Sequence, residues 1–126
     1  MYLDDTSTKL EAVLSGAASP APHFHVAWVV HNNEGLLSKP ATNRGTLSDS
    51  DTVLVAAPGT QGQVREILFV SIYNADNASV TVDVKTDNGT TELSVVKATL
   101  LTLEQLLYEK GRGWYALDAN GELKTA

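Results

Sequence analysis

The three histidines are the residues of this sequence whose side chains are best suited to binding a transition metal. His23 and His25 are two positions apart, so in a strand their imidazoles lie on one face, as two ligands of one ion do. The nearest third ligand in sequence is His31 or Glu34. Because His-x-His is frequent by chance, we interpret His23 and His25 as polar residues on an exposed or interface face. We expect no bound metal and no cofactor.

Six aspartates lie mostly in turn-forming segments. Such carboxylates bind calcium or catalyse glycoside hydrolysis when they converge in space, but in a turn they more often accept hydrogen bonds from nearby backbone. We therefore predict turn capping for the whole set, which comprises Asp49, Asp51, Asp76, Asp83, Asp87 and Asp118.

The sequence carries no motif for covalent or phosphate chemistry. A Gly-x-Ser-x-Gly elbow, a P-loop and a dinucleotide fingerprint are missing, and residues 59–62 (GTQG) lack the lysine of a phosphate cradle. The chain has no cysteine, which excludes thiolate nucleophiles, disulfides and cysteine metal sites. We expect a protein that is not an enzyme.

Large aromatic side chains offer a different kind of site, a platform on which a sugar ring stacks. The candidates are Trp28, Tyr73, Tyr108, Trp114 and Tyr115. Aromatic residues make up only 6% of the chain, so core and interface positions are favoured over a carbohydrate platform.

Size and charge narrow the class of protein that must position these residues. The 126 residues and 13.4 kDa suit one domain, and the 43% hydrophobic content argues against disorder. A net charge of −6 disfavours binding to nucleic acid or to an anionic membrane. Met1 to Asp5 do not resemble a signal peptide, so we expect synthesis and folding in a cytoplasm.

The strongest structural pattern lies between residues 63 and 100, where three strand-like runs span residues 64–73, 79–85 and 91–100. In the second run, Val80, Val82 and Val84 alternate with polar residues, as in a strand with one dry face. Turn-forming sequences at 74–77 (NADN) and 87–89 (DNG) separate the runs, and the latter suits a two-residue hairpin turn. The pattern predicts a three-strand antiparallel meander.

Two of these runs carry additional signals. The run 64–73 is apolar on both faces, which predicts a central strand covered on both sides. In the run 91–100 the apolar phase slips between Val95 and Val96, which predicts a β-bulge.

The remaining segments also favour strands. Residues 6–16 are interpreted as a strand over a helix, and residues 23–30 and 52–57 as strands; residues 101–108 fit either a helical turn or a bent strand. Residues 114–117 and 122–125 predict a hairpin around an Asn-Gly turn, while residues 32–50 predict a long loop that contacts a partner. About eight such strands predict an all-β fold, an antiparallel β-sandwich or jelly roll.

The N-terminal segment predicts an arm. Residues 17–22 (AASPAP) have the composition of an extended linker, so residues 1–22 form an arm in this interpretation and residues 23–126 form the sandwich domain. Such an arm can lie on a neighbouring subunit, and a truncated chain lacking it should still fold.

Five stretches together resemble a loosely defined family of small structural proteins of tailed bacteriophages, similar to head-decoration (cement) or tail-associated proteins. They are residues 6–17 (TSTKLEAVLSGA), 52–58 (TVLVAAP), 72–76 (IYNAD), 87–91 (DNGTT) and 113–118 (GWYALD). After residue 100 that family usually has small residues and glycine, whereas Leu101-Thr102-Leu103 is bulkier here.

The resemblance implies a virion component made in the host bacterial cytoplasm, a homo-oligomer, expected to be a trimer, that binds the major capsid protein or another virion protein. We expect a capsid decoration protein; a tail, neck or baseplate protein and a carbohydrate or host-receptor module remain alternatives. The expected partner-binding residues of the arm and the subunit interface are Leu10, Val13, Leu14, Pro20, Pro22, Phe24, Trp28, Phe69 and Tyr73.

Overall fold

The computed structural model describes residues 1–32, 35–36 and 38–124, and for residues 35–36 the backbone alone. The described chain is all-β, as predicted, with eleven strands in two antiparallel sheets. None of its described residues belongs to a helix that could cross a membrane. The strands are β1 (Tyr2–Leu3), β2 (Lys9–Leu14), β3 (His23–Asn32), β4 (Gly35–Leu36), β5 (Ala41–Thr46), β6 (Thr52–Val55), β7 (Val64–Tyr73), β8 (Val80–Asp87), β9 (Glu92–Leu100), β10 (Gln105–Glu109) and β11 (Gly113–Leu117).

Sheet A contains seven strands and sheet B contains four. In sheet A the order is β11-β10-β7-β3, with β4 and β5 both paired to β3 and β1 paired to β7. In sheet B the order is β6-β2-β8-β9. The predicted central position of residues 64–73 is confirmed, because β7 lies between β3 and β10.

The core lies between the two sheets and follows from side-chain alternation. Val80, Val82 and Val84 of β8 point inward, as predicted, and are at most 8% exposed. They belong to one hydrophobic cluster with Val70 and Ile72 of β7 in the opposite sheet. Burying each such side chain contributes about 1.5–3 kcal/mol, so the sandwich is the arrangement that removes most apolar surface from water.

The predicted three-strand meander is wrong in one respect. β8 and β9 form the expected hairpin, but residues 88–91 close it as a longer loop than the predicted two-residue turn, with Gly89 at a φ of 88°. β7, however, pairs with β3 and β10 in sheet A, and residues 74–79 carry the chain across to sheet B. Alternation identifies the dry face of each strand, but it does not identify the neighbouring strand.

Register shifts interrupt three of the ladders: the β2–β6 ladder skips Leu54, and the other two are bulges. The predicted bulge in the run 91–100 is confirmed: Val84 pairs with Val96 and Lys85 with Ser94, which leaves Val95 unpaired. A second bulge leaves Leu68 of β7 without a partner on β3. That irregularity shifts the inward phase of β7, so that Ile67 and Val70 are both fully buried.

The predicted N-terminal arm is corrected for its first fourteen residues. β1 pairs with β7, and β2 lies between β6 and β8 in the middle of sheet B. Leu10 and Leu14 are 0% and 3% exposed within their own chain. Because these side chains complete the core, the sandwich includes residues that the sequence interpretation placed outside it.

Three further boundaries differ from prediction. The expected loop 32–50 contains β4 and β5, and β5 pairs with β3 along six residues. The second strand of the C-terminal hairpin is reduced to a bridge between Leu117 and Leu123, and Thr125 lies outside the described residues. The ambiguous segment 101–108 is a turn followed by β10.

Candidate functional site

Four of the expected partner-binding residues are buried in the chain's own core and are corrected accordingly. Leu10, Leu14 and Phe24 are at most 3% exposed, and Pro22 is also buried. A partner cannot reach them in the folded chain. Their apolar character reflects packing between the two sheets.

The other expected partner-binding residues are accessible to different degrees. Phe69 and Tyr73 lie half-buried on the face of sheet A that points away from sheet B, and Val13 is half-buried on the corresponding face of sheet B. Trp28 packs against the core, with the Arg65 guanidinium 5.7 Å from its ring centroid. Pro20 is exposed.

A shallow depression of about 430 Å³ marks the outer face of sheet A. His25 and Ala27 of β3, Thr42 and Arg44 of β5 and Phe69 of β7 contribute to its lining. It combines an aromatic ring, an imidazole and a guanidinium, so it suits contact with a protein surface of mixed character.

The three histidines do not converge. The rings of His23 and His25 are 6.2 Å apart, and the His23 ring lies 5.0 Å from the ring of Tyr73. The His31 imidazole instead contacts a Glu66 carboxylate oxygen at 2.9 Å. Glu34, the other possible third ligand, lies outside the described residues.

The aromatic residues do not share one platform. Tyr108 is buried, and Trp28 and Trp114 pack against the core; the sequence favoured core or interface positions for these aromatics and expected Trp28 to bind a partner. Tyr115 lies under the Arg112 guanidinium, 3.8 Å from its ring centroid, and Tyr73 stacks near His23. The rings are thus divided between the core and the sheet surface.

Three exposed leucines lie at or near the turn between β9 and β10, at one end of the sandwich. Leu101, Leu103 and Leu123 are 55%, 46% and 58% exposed, and we call them the leucine tip. Leu101 and Leu103 belong to the turn between β9 and β10. Leu123 precedes Lys124, whose ammonium lies 2.6 Å from Glu104 in that same turn.

Buried hydrogen bonds hold this turn in one conformation. The side-chain amide of Asn74, which is fully buried, donates to the carbonyls of Leu100 and Leu101 at 3.0 and 3.1 Å. The backbone carbonyl of Asn74 accepts a hydrogen bond from the Leu103 N–H at 2.9 Å. Leu103 has a φ of 66°, a left-handed backbone that side-chain-bearing residues rarely adopt, so surrounding bonds must maintain it.

Glu104 completes the support of the leucine tip. Its carboxylate is 5% exposed, accepts the Leu101 N–H at 2.7 Å and meets the Lys124 ammonium. Lys124 in the first place, and then the Leu101 N–H, lower the pKa of Glu104, so the Glu104 carboxylate is ionised at neutral pH. The tip is therefore apolar outside and tied by polar contacts beneath.

Three carboxylates converge on the outer face of sheet B. Glu11 of β2, Asp87 of β8 and Glu92 of β9 each place one oxygen within 4.8 Å of the others, and we call them the acid cluster. Glu11 is 1% exposed, and burial, followed by a side-chain hydrogen bond with Asp87, raises the pKa of Glu11 to about 7. Within the described chain this is the group whose donor types and spacing suit a metal ion.

Turn capping is the role of three of the six aspartates. Asp118 accepts the N–H groups of Asn120 and Glu122, Asp76 accepts that of Asn77, and Asp87 accepts that of Gly89 at 2.7 Å. Asp87 also joins the acid cluster. Asp83 accepts a hydrogen bond from Ser94, and Asp51 pairs with Lys85 at 2.8 Å.

Sequence reasoning missed both the leucine tip and the acid cluster. The tip left one signal, the bulky Leu101-Thr102-Leu103 where the resembling family has small residues. The cluster depends on the register between β2 and β8, which sets Glu11 opposite Lys85 and Lys9 opposite Asp87. The two residues of each pair are more than seventy positions apart in sequence, so no local pattern indicates the pairing.

No protein-family model matches this chain, and comparisons with curated proteins and with solved structures found no match either. A proposal for its function therefore rests on the surfaces described above and on the resemblance of its sequence stretches.

Proposed function

We propose that this chain is a structural protein of a tailed-bacteriophage virion that decorates the capsid and joins neighbouring major-capsid subunits. The leucine tip is the observation that carries the proposal. Its three leucines are exposed, and Asn74 and Glu104 hold the turn that carries Leu101 and Leu103 in place. Exposed apolar side chains that are fixed beforehand suit a protein-contact surface, because little conformational freedom is lost on binding.

The physical role follows from apolar burial. Each leucine is already about half buried, so covering it with a capsid subunit contributes roughly 1 kcal/mol, before the costs of association. A decoration protein that covers its leucines on two adjacent subunits raises the free energy needed to separate them. The resemblance to head-decoration proteins supports this role, and the all-β sandwich is compatible with it.

The outer face of sheet A is the proposed contact between copies of the chain. Phe69 and Tyr73 are half-buried there, beside the depression lined by His25 and Arg44. We propose a trimer joined through this face, which leaves the leucine tip free for the capsid. Native mass spectrometry reads out the assembly as a multiple of the 13.4 kDa subunit.

The deciding experiment adds labelled chain to phage heads that lack it and measures the bound fraction after sedimentation. We expect saturable binding of the unmodified protein. The double variant Leu101→Ser, Leu103→Ser should bind at least tenfold more weakly while its thermal unfolding remains cooperative. The matched control is Leu93→Ser, because Leu93 is 63% exposed but lies near the opposite end of β9.

Two results would contradict the proposal. One is equal binding by the tip variant and the Leu93→Ser control. The other comes from immunogold labelling of intact particles: label on tails supports the tail or neck alternative, and particles without label remove the chain from the virion. Saturable binding on a glycan array, lost in Trp28→Ala, would favour the receptor module instead.

A further inference from the structure

The acid cluster lies among more negative than positive groups. Glu11, Asp87, Glu92 and the adjacent Asp51 supply four carboxylates, whereas the described ammonium groups in contact with them are those of Lys9 and Lys85. When all six groups are ionised, two negative charges are left without compensation. A proton, or a cation from solution, is needed to balance them.

Glu11 supplies a second and independent observation. Its Oε1 atom is fully buried and meets no N–H or O–H donor within the described chain; the Glu11 side chain instead faces the Asp87 carboxylate, and a hydrogen bond between those two groups requires a shared proton. Buried carboxylate oxygens are normally satisfied by a donor or a cation, since an unpaired one costs several kcal/mol. The other Glu11 oxygen is 3.8 Å from the Lys9 ammonium, which is beyond hydrogen-bond length.

We propose that Glu11, Asp87 and Glu92 bind a divalent cation of the Ca²⁺ type on the outer face of sheet B. All three ligands are carboxylate oxygens, which hard cations such as Ca²⁺ prefer over the nitrogen and sulfur ligands of softer metals. The Glu92 side chain is 46% exposed, so water can reach the open side and complete the coordination shell.

The two lysines differ in how firmly they occupy this region. Lys85 is held by Asp51 at 2.8 Å and by Glu92 at 3.0 Å. Lys9 stands 3.7 Å from Asp87 and is 37% exposed, so it can move into solvent when a cation arrives. Asp87 uses Oδ1 to accept the Gly89 N–H, which fixes its carboxylate and leaves Oδ2 for the ion.

A bound cation would join three strands of sheet B. Glu11 belongs to β2, Asp87 to the end of β8 and Glu92 to the start of β9. A ligand that binds only the folded chain raises its stability with concentration. The inference does not depend on the proposed virion role.

The test measures thermal unfolding of chelator-treated protein as CaCl₂ is added, with NaCl at matched ionic strength as the screening control. We expect a saturable rise in Tm beyond that of NaCl, and calorimetric titration with one ion per chain. Glu92→Gln and Asp87→Asn should bind at least tenfold more weakly. Asp83→Asn, a carboxylate change on β8 outside the cluster, should keep the Ca²⁺ response.

Glu11→Gln separates a cation site from a carboxyl pair that shares a proton. In chelator this variant should unfold at a higher temperature than the unmodified chain, because the uncompensated buried charge is gone, and its Ca²⁺ response should disappear. If the unmodified chain shows no Ca²⁺ response beyond NaCl, or if Glu92→Gln and Asp83→Asn respond alike, the proposal is overturned.

Discussion

Three glutamates are buried in the described chain. Two of them form close ion pairs with lysines, and the third does not. Glu66 and Glu104 each meet a lysine ammonium, at 2.8 and 2.6 Å. Glu11 has its nearest ammonium at 3.8 Å and one oxygen without a donor. Glu66 and Glu104 are therefore paired with a cation, whereas Glu11 keeps a carboxyl oxygen that no donor satisfies.

Glu66 gives a pH-dependent prediction at this scale. Lys110 in the first place, and also His31, lower the pKa of Glu66 below its ordinary value of 4.5. Its stabilising contribution is then complete above pH 4.5 and is lost as the pH falls through the lowered pKa. Glu66→Gln should lower the free energy of unfolding by about 1–3 kcal/mol at neutral pH.

Urea unfolding at a series of pH values, followed by tryptophan fluorescence, measures this effect. The difference between Glu66→Gln and the unmodified chain should shrink as the solution is acidified, because Glu66 itself becomes protonated. Glu122→Gln, a change at an exposed residue, is the control and should alter stability little at any pH. A difference that is constant with pH would show that the Glu66 charge is not responsible.

At the scale of elements, β2 is the strand on which sheet B depends. It pairs with β6 on one side and β8 on the other, and it places Leu10 and Leu14 in the core. Deleting residues 1–22 should therefore abolish cooperative unfolding, in contrast to the folded truncation that the sequence predicted. Circular dichroism and a thermal melt of the truncated chain check this expectation.

A substitution tests the same strand without removing it. Leu10→Ala should cost about 2–5 kcal/mol, because it empties a fully buried position. Val13→Ala, on the half-buried outer face of the same strand, should cost clearly less. Equal losses at the two positions, or a truncated chain that melts cooperatively, would argue against the central role of β2.

The features of the architecture that could be predicted from the sequence are those with a local cause. The alternation of β8, the DNG turn and the bulge at Val95 were all predicted, since each depends on neighbouring residues. The sheet that β7 joins and the position of β2 were not, because they depend on partners far away in sequence. β5 was missed because ATNRGT has the turn-forming composition of a loop.

At the scale of the whole molecule, the two outer faces carry different chemistry. Sheet A presents Phe69, Tyr73 and a shallow depression, whereas sheet B presents the acid cluster and its lysines. The leucine tip lies at one end of the sandwich. We expect the substitutions at the leucine tip to weaken the proposed capsid binding without changing the proposed ion binding, and those in the acid cluster to do the reverse.

The bulge at Val95 has a consequence for solubility. β9 is an edge strand of sheet B, paired with β8 on one side only, and the free side of an edge strand with regular geometry can recruit other chains into fibrils. The extra residue, Val95, increases the twist at this edge of the sheet, and Lys97 adds a positive charge on the same strand. Deleting Val95 should straighten the ladder and promote thioflavin-positive fibrils on mild heating, whereas Val95→Thr, which keeps the extra residue, should not. If neither variant forms fibrils, the bulge is not what protects this edge strand from pairing with other chains.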